Sequence, residues 1–549
     1  MTVAQMESAS MRPGASAPAD IRPAAARAAP AFTDAATCKT WLDHVPLINI
    51  GAANSMLQMH LERFAAVECD AESRFATLEV LWPAIVTLQR EHGKRFRSKA
   101  LPLSPQRRAN FAATCTLWDA LSRSYRRCLE TMTRRDEAGT RLLAHMCFQA
   151  MNAIVHKMAD CHHTYVQVDP ADCLELHRLF QWTEQAGVLR TRVRDEVAPD
   201  RTPQTCVQLY ASALLFESSM PREHRSLGLG IIERWVGKWA SKVVVSAAAP
   251  EHPIVPPLVV NLRASGGARQ EPEGANAESL RFLDMTSIAQ SLERRIEGLQ
   301  TGRRPEEVGL GTEISRRDGE ALLAALYRQW CGGTIRRVSK RHRIDARAHV
   351  STGVRAAHFY VSKRPFEQPV ESGAAAMTPL PVPRIKAAAD YMLSNGIVAE
   401  EWIVRDESLG GIGLVRRRDE LNKTRLAHAQ LVSVRPRGAP TMLVGTIQWL
   451  QEAQDGDLHI GVRLIPGLAA PVAVRISKEE KFQPALLIAP VSALGSPTSL
   501  LLAPGTYASE RVVEVHGRVR QEVQFTGLLD NGADFERIAF IPTGRQALV

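Results

Sequence analysis

The hydrophobic pattern divides the chain into a helical first part and a β-rich last part. Between residues 34 and 239, apolar residues recur at intervals of three and four, the period of helices that bury one face. The period is clearest in Asn54–Ala66, Arg74–His92, Pro105–Thr133, Arg141–Ala159, Ala171–Gln185 and Gln204–Phe216. Helices usually end before a proline, and these segments are punctuated by Pro46, Pro83, Pro102–Pro105, Pro170 and Pro203. We therefore predict an all-α array of antiparallel helices, without a fixed repeat period.

Residues 240–334 carry a mixed pattern that links the two parts. Two β-rich runs, Val243–Val245 and Leu258–Leu262, are separated by a proline-rich turn and predict a short hairpin or sheet. A polar linker follows, and helical periodicity returns at Thr286–Leu299 and Ser315–Trp330. This segment is thus expected to hold a short β segment, a linker and a helical pair.

The remaining sequence is β-rich and forms two units, 335–466 and 467–549. The second unit shows short strands at regular spacing, namely Ala485–Ile488, Ser499–Leu502, Val512–Val515, Val519–Gln524 and Arg537–Phe540. Such spacing favours a small barrel. The predicted fold class is multidomain α + β, in which the N-terminal all-α array precedes an antiparallel β-barrel and a second small β-barrel-like unit.

Composition narrows the setting in which this fold works. The 549 residues are 45% hydrophobic with a net charge of +10, enough apolar sequence for several cores and a mild preference for anionic partners. Residues 1–33, rich in Ala, Pro and Ser, are expected to be a disordered tail rather than a secretory signal. The nine scattered cysteines favour a reducing compartment. With no membrane-spanning apolar run, we predict a cytoplasmic protein without membrane insertion.

The first β unit contains the most informative motif, an Asp-x-Ser-x-x-Gly sequence formed by Asp406, Ser408 and Gly411. Two further β-rich runs, Gly445–Trp449 and Ile460–Leu464, follow it. Upstream lies a dense basic run that contains the four arginines Arg336, Arg337, Arg341 and Arg343. Alone, the Asp and Ser residues are typical of turns, and a basic run is typical of a solvated linker. The order in which these elements occur is what distinguishes them from an ordinary turn and an ordinary linker.

That order resembles the PilZ domain, a bacterial receptor for cyclic di-GMP. The family's Arg-x-x-x-Arg strip corresponds to Arg337 and Arg341, and its surface motif corresponds to Asp406, Ser408 and Gly411. The resemblance implies that these five residues bind cyclic di-GMP, with Arg336 and Arg343 as auxiliaries. It also implies that Gly445–Trp449 and Ile460–Leu464 form the strand pair that closes the barrel.

The residue types suit this ligand independently of the resemblance. Arginine presents a planar fork that matches phosphate oxygens and the O6/N7 edge of guanine. The Asp406 carboxylate can accept hydrogen bonds from the guanine N1–H and N2–H2 groups, and Ser408 supplies a hydroxyl beside it. Glycine at position 411 permits a close approach that a side chain would block.

Two departures from the family pattern leave details open. The interval from Arg341 to Asp406 is longer than usual, and we attribute the excess to an insertion at 362–395 made of a Pro- and Ala-rich loop and a short helix. Whether this insertion covers or supports the ligand face stays open. A second Arg-x-x-x-Arg register, Arg343 with Arg347, is also present, although Arg347 falls in an alternating run that predicts the first strand.

We thus predict a non-enzymatic effector that couples cyclic di-GMP binding to output through an unknown protein partner of the helical region, with regulation of motility or biofilm as the expected context. No cofactor and no metal are expected, because Cys161, His162 and His163 lack metal-ligand spacing. Two alternatives remain. One is a PilZ-fold scaffold that binds no nucleotide. The other is a nucleic-acid-binding protein that uses the basic strip, which lacks interleaved aromatic residues.

Overall fold

The computed structural model describes residues 29–132, 136–194, 203–270, 276–332, 341–369, 384–418, 424–439 and 441–548. Within these ranges the first part of the chain is helical, as the periodicity predicts. Its helices are α1 (Ala35–Leu42), α2 (Ile50–Phe64), α3 (Ala71–Gly93), α4 (Pro105–Thr131), α5 (Glu137–Thr164), α6 (Pro170–Gln185), α7 (Cys206–Ser218) and α8 (Ser226–Trp239).

Most of these helices begin at a side chain that caps the first turn. The side chains of Asp70, Ser104 and Asp136 accept hydrogen bonds from backbone N–H groups at the starts of α3, α4 and α5, which satisfies donors that the helix itself cannot pair. The central helix α5 is buried along most of its length, from Ala144 to Thr164. Helices α4, α6 and α7 pack around it.

Helix α3 runs through Pro83, so the expectation that this proline would punctuate the array is wrong. A proline inside a helix removes one N–H donor and costs about 3 kcal/mol. The helix persists because Trp82 and Ile85 on either side of the proline are fully buried, and their packing outweighs that cost.

A small sheet and two helices follow the array. Strands β1 (Val244–Ser246), β2 (Leu258–Asn261) and β3 (Leu280–Asp284) form an antiparallel sheet in the order β1-β3-β2. Helices α9 (Thr286–Gln300) and α10 (Arg316–Trp330) pack on each other. The third strand was not apparent from the sequence.

The middle unit is a closed six-stranded antiparallel barrel. Its strands are β4 (His342–Thr352), β5 (Glu400–Ser408), β6 (Gly411–Arg416), β7 (Leu431–Pro436), β8 (Leu443–Glu452) and β9 (Leu458–Leu464), arranged in the order β4-β5-β6-β9-β8-β7. The two β-rich runs behind the motif pair with each other as β8 and β9. Between β4 and β5 lie α11 (Val354–Ser362) and α12 (Arg384–Ser394).

The last unit is a second closed barrel, so the predicted α + β fold class is confirmed. It comprises β10 (Ala469–Arg475), β11 (Gln483–Ile488), β12 (Ser499–Leu502), β13 (Val512–His516), β14 (Val519–Asn531) and β15 (Glu536–Leu548), in the order β10-β11-β12-β15-β14-β13. Five of these strands overlap the sequence predictions, whereas β10, whose run contains Pro471, was missed.

Apolar contacts join the units. One continuous core extends from Phe32 in the helical array to Val462 in the middle barrel. A separate core fills the second barrel. Helix α11 lies between the two barrels, where Val354 and Ala357 pack with residues of both. Among the described helices, none combines the length and apolar character that a membrane span requires.

Candidate functional site

The Asp-x-Ser-x-x-Gly motif occupies the hairpin between β5 and β6. Asp406 and Ser408 end β5, and Gly411 begins β6 directly opposite Ser408 in the antiparallel register. The Ser408 hydroxyl donates a hydrogen bond of 3.3 Å to the Gly411 carbonyl, which holds the turn. The Leu409 side chain at the tip of this turn is 95% exposed.

The strand register places the motif at one end of a row of outward-facing residues, which crosses the four strands β5, β6, β9 and β8. Ile412 and Leu414 of β6 are buried in the barrel core, so the alternating residues Gly411 and Gly413 lie on the outer face. Across the strands, Asp406 pairs with Gly413, Gly413 with Gly461, and Gly461 with Trp449. We call the four residues Asp406, Gly413, Gly461 and Trp449 the outer row.

The two glycines make the floor of the outer row. A Cβ atom at Gly413 would lie 2.8 Å from Oδ1 of Asp406, and one at Gly461 would lie 2.0 Å from the indole Nε1 of Trp449. The carboxylate and the indole therefore rest directly on the backbone of these strands. Any other residue at position 461 would displace the aromatic ring.

The described arginines of the basic run lie at the Asp406 end of the outer row. Nη1 of Arg341 is 2.6 Å from Oδ1 of Asp406, and both side chains keep partial solvent exposure. Arg343 pairs with Asp406 in the β4–β5 register. Arg336 and Arg337 fall outside the described residues. The structure thus brings Arg341, Arg343, Asp406, Ser408 and Gly411 together at one edge of the barrel.

The other Arg-x-x-x-Arg register places its second arginine farther away. Arg347 lies in β4 opposite Ile403, three positions before Asp406, and forms an ion pair with Glu401. Helix α11, which ends where the insertion begins, packs near β4 and β7, across the barrel from β6 and β9. The central part of the insertion, 370–383, is outside the described residues.

Three further residues contribute to this face, and no local sequence pattern indicates their roles. Trp449 of β8 ends the outer row. Arg463 of β9 lies opposite Gly411 and its Nη2 is 3.3 Å from Oδ1 of Asp530 in the second barrel. Arg222 comes from the helical array, and its guanidinium carbon lies 4.9 Å from the Trp449 ring centroid. Register and domain packing, which are long-range features, create these contacts.

Positive charge at this barrel face comes from arginine side chains. His459 lies next to the outer row on β9, and burial, reinforced by the positive charge of Arg405, lowers its pKa. A neutral imidazole adds no positive charge at neutral pH, so the arginines supply it. Carboxylates pair with two of them, Asp406 with Arg341 and Asp530 with Arg463.

The histidine cluster of α5 serves packing between helices. Nε2 of His162 is 2.9 Å from Oε2 of Glu217, and Nε2 of His163 is 2.8 Å from Oε2 of Glu233. The His163 contact lowers the pKa of Glu233 to about 2 against the opposing effect of burial. Within the described ranges, no group of three His, Cys, Asp or Glu side chains could hold a metal ion.

The fold is that of a multidomain α + β protein, with a helical array and two barrels. Comparison with known proteins gives the family. Residues 36–251 match the family model described as the N-terminal domain of the cyclic-di-GMP receptor FimW, and residues 472–542 match the FimW C-terminal β-barrel domain. The two segments make up more than half of the chain, which belongs to this FimW receptor family.

A curated relative extends the similarity along the chain. The cyclic-di-GMP receptor FimW of Pseudomonas aeruginosa is 20% identical over 545 residues, covering 88% of this chain and 87% of the relative. These matches name FimW rather than PilZ. The resemblance to PilZ concerns the middle barrel, which lies between the two matched segments.

Proposed function

We propose that this protein is a cyclic di-GMP-binding effector whose ligand site is the outer row of the middle barrel and the arginines beside it. The observation that carries the proposal is the meeting of Arg341, Arg343 and Asp406 at one end of a glycine floor. The printed name of the relative, a cyclic-di-GMP receptor, supports the same ligand.

The proposed binding reaction exchanges partners within this cluster. Without ligand, Arg341 is paired with Asp406. A phosphate of the ligand can take over the guanidinium, while the freed carboxylate accepts from the N1–H and N2–H2 edge of a guanine. Both groups are partly exposed in the starting pair, so the exchange does not leave a buried charge unpaired. The role is one of binding, without catalysis.

The effect of ligand binding is proposed to reach a protein partner through the helical array. The array is joined to β8 by backbone hydrogen bonds, since Gln167 N–H donates to the Glu452 carbonyl and Glu452 N–H donates to the Tyr165 carbonyl, each at 2.8 Å. A ligand that favours one packing of β8 against the array would shift the population of that packing. The exposed surface of the array is then the place for a protein partner.

Calorimetric titration with cyclic di-GMP tests the proposed function. We expect the wild type to bind and Arg341→Ala and Asp406→Ala to lose at least about tenfold in affinity, because each removes a charge-assisted contact. Arg337→Ala is expected to behave like Arg341→Ala.

Arg347→Ala is the matched control for this titration. It removes a second arginine, which lies in β4, is more exposed than Arg341 (59% against 32%) and is paired with Glu401 away from the outer row. Absence of binding by the wild type would overturn the proposed function. Loss of binding in Arg347→Ala with retention in Arg341→Ala would instead select the other arginine register.

A further inference from the structure

The outer row ends at an aromatic residue that is covered by another domain. Trp449 lies on the Gly461 backbone, and the guanidinium of Arg222 is stacked over its ring at 4.9 Å. Arg222 belongs to a single 3-10 turn, Pro221–Glu223, between α7 and α8. The preceding residue, Met220, has φ of 58°, a conformation that costs energy for a non-glycine residue. The turn packs against β8 of the barrel.

Part of the hydrogen-bonding capacity of Arg222 is unused. Its Nη1 reaches Oε1 of Gln451 only at 3.5 Å. Its Nε is buried and has no hydrogen-bond partner among the residues that the structure describes. A guanidinium carries five N–H donors, and buried polar groups are normally paired. An arginine in this state is suited to accept a ligand that supplies oxygen and nitrogen acceptors.

The outer row is too long for a single base to contact both of its ends. Asp406 and Trp449 are three strand-to-strand steps apart, about 14 Å at the usual spacing of neighbouring strands. One guanine at Asp406 cannot also reach Trp449. A cyclic dinucleotide has two purine bases, and a purine has the flat π-face that stacks on an indole.

We propose that Trp449 and Arg222 form a second guanine subsite, built jointly by the middle barrel and the helical array. This inference rests on the proposed function and specifies how the second base of the ligand is held. The base stacks on the indole face that Arg222 covers in the unliganded protein. The guanidinium moves from the ring face to the O6/N7 edge of that base, where it forms a bidentate contact.

The subsite gives the ligand a direct contact with the helical array. Arg222 moves when the base enters, and it is fixed to the turn that precedes α8. Three residues later, Arg225 Nη2 donates a 2.6 Å hydrogen bond to the Asn531 carbonyl of the second barrel. A base in this subsite therefore touches the segment at which the array and both barrels meet.

Calorimetry on the full-length protein tests the subsite. We expect Arg222→Ala to weaken cyclic di-GMP binding about tenfold or more, and Arg222→Lys to do the same because lysine keeps the charge but lacks the fork. Trp449→Leu should weaken binding similarly, whereas Trp449→Phe, which retains an aromatic face, should bind nearly as the wild type does. Arg234→Ala, which removes an exposed arginine of α8 that is paired with Glu313, is the matched control and should leave affinity unchanged.

The outcomes separate this inference from the proposed function. If the wild type binds and Arg341→Ala does not, but Arg222→Ala and Arg222→Lys bind like the wild type, the subsite is wrong and the proposed function stands. If the wild type itself does not bind cyclic di-GMP, the proposed function is wrong, and the subsite is wrong with it. Circular dichroism of Trp449→Leu checks its folding, and the two Arg222 variants decide the question should that variant be unfolded.

Discussion

At the scale of single residues, the candidate site depends on where side chains are absent. Gly413 and Gly461 are outward-facing strand positions, where a glycine ordinarily weakens a sheet. Here each glycine leaves room for a neighbour, the Asp406 carboxylate in one case and the Trp449 indole in the other. The polar and aromatic groups of the outer row therefore lie close to the barrel surface, which leaves space above them for a flat ligand.

Replacing Gly461 tests this arrangement. The Cβ of Gly461→Ala would lie 2.0 Å from Nε1 of Trp449, so the indole must move, and we expect a loss of about 1–3 kcal/mol in the free energy of unfolding. Urea denaturation measures it. Gly527→Ala is the control, since it adds a Cβ to a strand glycine with nothing within 4 Å. Equal stability of the two variants would show that Trp449 does not require the glycine.

At the scale of elements, β8 connects the site to the helical array. Its last residue, Glu452, has a side chain only 3% exposed that forms an ion pair with Arg108 of α4. The second oxygen, Oε2, accepts a hydrogen bond of 3.0 Å from Nη2 of Arg108. The carboxylate hydrogen bond raises the pKa of the Arg108 guanidinium. Side-chain and backbone contacts of Glu452 thus attach one strand of the barrel to two helices.

Removal of Arg108 should destabilise this attachment. Arg108→Ala leaves a buried carboxylate without its cation, and we expect a cost of about 1–3 kcal/mol, tempered by the partial exposure of the arginine. Arg141→Ala, which breaks the exposed Arg141–Glu137 pair, should cost under about 0.5 kcal/mol. A double-mutant cycle with Glu452→Gln by urea denaturation measures the coupling. A coupling near zero would contradict a role for this pair in docking.

At the scale of the whole molecule, buried histidines make stability depend on pH. Burial, with a further contribution from Arg225 and His224, lowers the pKa of His428 to about 4, and burial lowers the pKa of His358 to about 4 as well. His428 lies at the junction of the helical array and the barrels, 6.3 Å from the Tyr165 ring. His358 belongs to α11, between the barrels. Both imidazoles are neutral in the folded protein at neutral pH.

The linkage predicts a loss of stability on mild acidification. In the unfolded chain the imidazole pKa returns to about 6.5, so between pH 6.5 and 4 the unfolded state binds more protons than the folded state. Stability is fully present above pH 6.5 and falls by up to about 1.4 kcal/mol per pH unit for each histidine as pH decreases. Urea denaturation at pH 7 and pH 5 measures this slope.

His428→Leu is expected to show a smaller slope between those pH values than the wild type. His252→Leu, at an exposed position, is the matched control and should keep the wild-type slope. An unchanged slope in His428→Leu would mean that the buried imidazole at the junction is not what links stability to pH.

Local sequence signals predicted most of the elements. The three-to-four period located the long helices because one face of each packs on α5 or its neighbours, and alternation with turn residues located five strands of the second barrel. The elements that were predicted wrongly or not at all have local causes. Pro83 signals a helix end, but burial of Trp82 and Ile85 outweighs that signal. Strand β10 contains a proline and small residues, which carry little β preference.

The sequence by itself determined the helical array, the two β units and the hairpin on which Asp406, Ser408 and Gly411 lie, because period and turn chemistry act between near neighbours. Only the tertiary structure decided which residues share the outer row. Gly413, Gly461 and Trp449 are neighbours through strand register, and Arg222 reaches Trp449 from a different domain. Contacts between residues far apart in sequence depend on how whole elements pack, and local patterns do not encode them.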